Sequence, residues 1–232
     1  MKVKPDPNVS KVALVGGLFD VMVDLFFPPA CIFCRQPLLP EEKGLFLCMD
    51  CLARGPFYRE GECRLPVVAS CAGITALGRY RGELRMCLHD LKYRGRKSLA
   101  RPLGILLARQ VLRHFWSKPD AVVPIPLHPE RQRERGYNQS RLLAAQLARY
   151  LDVPLLDLLE RTKHTPPQAK LSRPQRLKNI KGAFCIKNVA LPATSHLLLV
   201  DDVLTTGATI EEAAATLLSH GYQRIYSAVV AH

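Results

Sequence analysis

Negative charge is scarce: 20 Asp and Glu face 33 Lys and Arg, leaving a net charge of +13. That shortage points to an anionic partner, such as nucleic acid, a phosphate-rich substrate or a membrane surface. There is no internal repeat and no low-complexity tract, which excludes solenoids and disordered arrays. The seven histidines fall at no metal-ligand spacing. An uninterrupted apolar segment is missing from the N-terminal region as well. Lys2, Lys4 and Lys11 precede the apolar stretch 12–27 in the manner of a secretion signal, but Asp20 and Asp24 interrupt it and no small-residue cleavage site follows. The same two acids argue against a membrane span, which needs about 20 mostly apolar residues. Leu14, Leu18, Val21 and Leu25 recur at helical spacing, so 1–28 is expected to hold an amphipathic helix, stopped by Pro28 and Pro29. The expected location is the cytoplasm.

With 232 residues, 48% of them hydrophobic, the chain can bury one sizeable core and a small accessory module. Its eight cysteines are too unevenly spread for a secreted disulfide framework. Four of them form Cys31-x-x-Cys34 and Cys48-x-x-Cys51, thirteen residues apart. Each pair can form a tight turn presenting two thiolates, and two such turns complete a tetrahedral zinc site. Four protein ligands fill the coordination sphere, so the zinc is expected to be structural, in a module spanning 29–72. Cys63 and Cys71 form no further pair of this kind, and Cys87 and Cys185 read as small apolar residues.

From residue 73 onward the patterning changes. Short apolar strands over 76–80, 121–126, 196–200 and 224–231 alternate with helical stretches over 83–91, 102–116, 139–151 and 209–220. This alternation predicts an α/β domain over 73–232, built on a parallel sheet with flanking helices. The stretch 161–181 is polar, basic and broken by Pro166, Pro167 and Pro174, so it reads as a long functional or mobile loop.

Ligands of parallel sheets sit at the carboxyl ends of strands. The strand ending at Val200 delivers Asp201 and Asp202 to that edge, followed by Thr205-Thr206-Gly207-Ala208-Thr209. Gly207 permits close backbone approach, the threonines supply hydroxyls, and the next helix supplies free amides and the positive end of its dipole. These are the parts of a phosphate pocket. Two carboxylates beside a phosphate would repel it unless they face elsewhere, toward ribose hydroxyls or a hydrated Mg²⁺.

Between 79 and 181 there are 23 Lys or Arg against 8 Asp or Glu, an excess larger than the net charge of the whole chain. Lys92, Arg94, Arg96 and Lys97, then Arg131, Arg133 and Arg135, are interleaved with Tyr93 and Tyr137. Cations mixed with stacking rings suit a single-stranded nucleic acid, with each stack worth about 1–3 kcal/mol.

The string 199–209 resembles the PRPP-binding motif of type I phosphoribosyltransferases. More narrowly, Leu91-Lys92-Tyr93, Pro124-Ile125-Pro126-Leu127, Arg133-x-Arg135-Gly136-Tyr137-Asn138-Gln139 and the segment from Gln168 through Arg176 to Asn179-Ile180 resemble the ComF family, the competence-associated branch. The resemblance implies a type I phosphoribosyltransferase-like domain preceded by a zinc ribbon. It assigns Asp201 and Asp202 to ribose hydroxyls, Thr205, Thr206, Gly207, Ala208 and Thr209 to the 5-phosphate, and Pro124, Ile125 and Pro126 to the neighbourhood of the pyrophosphate. The loop 163–181 would close over the site. Asn138, Gln139 and Arg176 join the cations and tyrosines as nucleic-acid candidates. The implied ligand is PRPP with Mg²⁺, and the implied partners are single-stranded DNA and competence-machinery proteins. Two functions stay open: a DNA-handling protein acting in natural transformation, or a working transferase that moves ribose 5-phosphate onto a base or amine. No sequence feature names such an acceptor.

Overall fold

The computed structural model describes residues 28–59, 65–115, 118–163, 180–187 and 191–232. The N-terminal helix, Cys63 and Arg176 therefore lie outside the described residues, as does most of the expected closing loop. The chain forms two compact units, 1–55 and 56–232. No described helix is long and apolar enough to cross a membrane.

In the first unit, a turn around Cys31 to Cys34 is closed by the amide of Arg35 on the carbonyl of Cys31, and by the amide of Cys31 on the carbonyl of Gln36. A 3₁₀ turn, Lys43–Leu45, leads to the short helix α1, Met49–Arg54. Only the first cysteine pair is a tight turn. Cys48 is instead the N-cap of α1, and Cys51 lies in its first turn.

In the second unit, β1 (Gly73–Gly78), β2 (Ala121–Pro124), β5 (His196–Val203) and β6 (Arg224–Ala231) form a four-stranded, all-parallel sheet in the order β1-β6-β5-β2. The helices are α2 (Gly82–Tyr93), α3 (Ala100–His114), α4 (Pro129–Arg135), α5 (Gln139–Leu151) and α6 (Ala208–Ser219). A separate antiparallel ribbon pairs β3 (Leu159–Arg161) with β4 (Phe184–Ile186).

The sheet strands are apolar because both faces are covered. Leu197, Leu199 and Val123 pack with Ile210, Ala213, Ala214 and Leu217 of α6, and with Leu158, Leu159 and Phe184 around the ribbon. Helices α3 and α5 pack on each other and on β1, β2 and β5. They cross closely at Gly104, where an added Cβ would meet the Gln146 Cβ at 2.6 Å and the Leu143 carbonyl oxygen at 2.8 Å. Helix α5 begins where the sequence places it, because the Asn138 side chain accepts hydrogen bonds from the amides of Ser140 and Arg141.

Two boundaries differ from the sequence reading. The bridge 65–72, grouped there with the cysteine module, belongs to the second unit: Val68 is buried in its core, and the Ala72 amide bonds the Ile225 carbonyl. Strand β5 also continues past Val200, because Asp201 and Val203 stay in register with Val229 and Ala231 of β6. Asp201 and Asp202 are thus strand residues and alternate across the sheet.

Candidate functional site

Alternation gives the two carboxylates different surroundings. Asp201 Oδ1 accepts from the Ser140 hydroxyl at 2.7 Å and from the Asp202 amide at 2.9 Å. Burial first, and then the charge of Asp202, push the Asp201 carboxyl up to about 7, against those hydrogen bonds and the more distant Lys92. Asp202 is buried, and its Oδ1 lies 2.9 Å from the Lys92 ammonium. Its Oδ2 is buried with no hydrogen-bond partner among the described residues. Burial works against the charge on Lys92, but Asp202 beside it outweighs that and raises the lysine pKa. The two acids thus have different partners.

Immediately after β5, Gly207 adopts φ 82° as the N-cap of α6. A side chain there would be strained, and its Cβ would meet Val68 Cγ2 at 2.9 Å. The amides of Thr205, Thr206, Gly207 and Thr209 donate to no group among the described residues, and no side chain caps the helix. Thr206 Oγ1 sits 3.4 Å from the Ala208 amide. Thr205, Gly207, Ala208 and Thr209 line a small cleft together with Asp201 and Val203. Free amides at a helix N-terminus, beside hydroxyls and a shared cleft, are groups suited to an anion.

Sequence reasoning missed what supports this turn. Glu211 of α6 accepts from the Ser70 hydroxyl at 2.6 Å and from the Ser70 amide at 3.2 Å. Those bonds hold the bridge so that Val68 lies over Gly207. Ser140 was also missed, although a serine just after an N-cap at the sheet edge is well placed to reach a strand-end acid.

The segment 124–126 runs along the same edge. Pro124 pairs with Val200, the Ile125 amide donates to the Val200 carbonyl, and the Ile125 carbonyl accepts from Asn138 Nδ2. Pro124 and Pro126 line a cavity of about 660 Å³ together with Arg133, Arg141 and Arg161. Burial lowers the Arg161 pKa, with Arg131 adding to it and Asp201 opposing.

The nucleic-acid candidates divide into two groups. Tyr93 is 67% exposed, with the Arg135 guanidinium 5.3 Å above its ring. The Tyr137 hydroxyl donates to the Leu91 carbonyl, and Lys97 Nζ lies 4.9 Å above that ring. Lys92, Tyr93, Arg131, Arg135 and Tyr137 line one cavity of about 390 Å³. Arg94 is outside that lining and pairs with Asp90 at 3.4 Å, while Arg133 faces the larger cavity. The other group is internal. Asn138 is a buried helix cap, and buried Gln139 accepts from Arg135. Lys92, whose side chain is only 17% exposed, belongs first to Asp202.

The Sγ atoms of Cys31, Cys34, Cys48 and Cys51 all lie within 4.8 Å of one another. Tetrahedral zinc–thiolate bonds of about 2.3 Å put sulfurs about 3.8 Å apart, so the donor set and its spacing fit such an ion. Burial raises the Cys31 thiol, but backbone hydrogen bonds from Cys34, Cys48 and Phe33 bring it down to about 7. Glu42 ties the two halves together: its carboxylate accepts from the Leu39 amide at 2.9 Å and from the Met49 amide at 2.7 Å.

A family model described as "Phosphoribosyl transferase domain" matches residues 103–232. Competence protein F of Haemophilus influenzae is 33% identical over 220 residues, covering 86% of this chain and 95% of that protein. The chain belongs to the ComF family. DNA utilization protein YhgH of Escherichia coli K12 is 34% identical over 194 residues, covering 81% of this chain and 78% of its own length. Competence protein ComFC of Bacillus subtilis is 32% identical over 142 residues, covering 61% and 56%. In this ComF-family chain, the turn 205–209 falls inside the matched phosphoribosyl transferase domain, while the four cysteines precede it.

Proposed function

We propose that the chain binds the ribose 5-phosphate portion of PRPP at the 205–209 turn and single-stranded DNA on its basic, aromatic face, and acts in the cytoplasm in DNA uptake during natural transformation. The observation that carries the reading is the end of β5: a buried carboxylate oxygen of Asp202 is followed by the amides of Thr205, Thr206, Gly207 and Thr209, and none of these groups has a hydrogen-bond partner among the described residues. A sugar hydroxyl suits the first and a terminal phosphate suits the second. Magnesium carried by PRPP would supply charge compensation for the pyrophosphate. The cavity shared by Tyr93, Tyr137, Arg131 and Arg135 supports the nucleic-acid part, since rings and cations converge there. The names of the relatives, a competence protein and a DNA utilization protein, agree with that partner. A structural zinc on the four cysteines completes the reading.

Calorimetric titration with PRPP and with ribose 5-phosphate tests the first part: both bind, and Gly207→Ala abolishes both. Absence of binding to the wild-type chain refutes it. Labelled single-stranded oligonucleotide tests the second part, with an affinity that falls steeply as salt rises. A screen for pyrophosphate release over bases and amines separates a binding protein from a working transferase.

A further inference from the structure

Asp202 and a divalent cation do not fit one another in this chain. Asp202 Oδ1 already faces the Lys92 ammonium at 2.9 Å, with the two side chains 6% and 17% exposed. Asp201 Oδ1 already accepts two hydrogen bonds. Magnesium requires near-octahedral oxygen ligands at about 2.0–2.1 Å, and on Asp202 it would confront an ammonium across one carboxylate. Lys92 is also poorly placed to withdraw. It lies near the C-terminus of α2, which buried Leu84, Leu88 and Leu91 hold down, and the Leu91 carbonyl is engaged by the Tyr137 hydroxyl. Asp202 Oδ2 is buried and has no hydrogen-bond partner among the described residues. Such an oxygen accepts from a neutral hydroxyl without any new charge entering the site.

We infer that Lys92 is the resident counter-cation of Asp202: it keeps divalent metal off that carboxylate and leaves its second oxygen for a sugar hydroxyl. Resting on the sugar-phosphate reading, this means that magnesium enters on the ligand's phosphates rather than on Asp202, and that a ribose phosphate lacking a pyrophosphate binds without magnesium.

The test uses the full-length, zinc-loaded protein titrated with Mn²⁺ alone, with free Mn²⁺ followed by electron paramagnetic resonance. Wild type and Asp202→Asn show the same Mn²⁺ uptake. Lys92→Met gains one site, tighter by on the order of tenfold or more, because an uncompensated acid pair is left. Lys92→Met/Asp202→Asn loses that site again, and Lys92→Arg behaves as wild type. A wild-type Mn²⁺ site abolished by Asp202→Asn overturns the inference, as does a folded Lys92→Met protein with no gain. If Lys92→Met does not fold, the comparison of wild type with Asp202→Asn decides alone. A second titration adds ribose 5-phosphate in chelator and then in magnesium. Equal affinity in both supports the inference, and strict magnesium dependence in wild type overturns it. No binding in either refutes the sugar-phosphate reading while leaving the Mn²⁺ result to judge Lys92.

Discussion

Replacing Gly207 with alanine separates backbone strain from steric overlap. Gly207 has φ 82°, where an L residue costs about 1–2 kcal/mol. Its new Cβ would also lie 2.9 Å from Val68 Cγ2, a buried methyl that must shift, at about 1–3 kcal/mol. The two together give a loss of about 2–5 kcal/mol. Gly136 has a similar φ of 79° but nothing within 4 Å of its would-be Cβ, so Gly136→Ala carries the strain alone, about 1–2 kcal/mol. Urea denaturation followed by circular dichroism, in excess zinc, measures both. Adding Val68→Ala to Gly207→Ala frees the space, so the pair departs from additivity by about 1–3 kcal/mol. Equal losses for the two glycines, with Val68→Ala strictly additive, would refute the reasoning that the bridge 65–72 presses on the turn.

Stability from Asp201 has a definite sign with pH. The folded state raises this carboxyl from 3.8 to about 7, so its contribution is fully present below the lower value and is lost as pH rises through the upper one. Asp201→Asn flattens that decline between pH 4 and 7 in denaturation curves; an unchanged slope contradicts the assigned burial. On the basic face, Tyr93→Ala weakens single-stranded oligonucleotide binding by about 1–3 kcal/mol, and Arg135→Ala lowers the salt slope by about one contact. Asn138→Ala instead costs about 1 kcal/mol of fold stability through the lost cap, visible in denaturation. Elemental analysis finds about one zinc per chain, Cys48→Ser removes it, and limited proteolysis then opens 28–55 while leaving the core of 56–232 protected.

Much of the architecture is legible from periodicity. Helix α5 and strand β6 match their sequence limits because Asn138 caps one and a mostly apolar run, ending in Ala228 to Ala231, makes the other. Helix α4 escaped because Pro-Glu-Arg-Gln-Arg-Glu-Arg has no apolar stripe, although proline at its start and Gly136 at its end were visible marks. The extension of β5 through two aspartates was hidden because pairing with β6, a long-range effect, outweighs the polarity of those residues. By sequence Lys92 reads as a nucleic-acid candidate on the basic segment. Yet it follows Leu84 and Leu88 at intervals of four, on the buried stripe of α2, and a cation on such a stripe implies a buried acid elsewhere. The support given by Val68 and Ser70 had no local mark, since it joins segments some 140 residues apart.

Gly104 packs against Leu143, Gln146 and Leu147 of α5, so it fixes how near α3 lies to α5, and Ser140 at the head of α5 reaches Asp201. Spreading those helices by the width of one methyl would tilt α5 and carry its hydroxyl off the carboxylate. The chemistry at the strand edge therefore depends on a helix contact one turn away, and drift at that plain packing position can retune ligand affinity while every contacting residue stays the same.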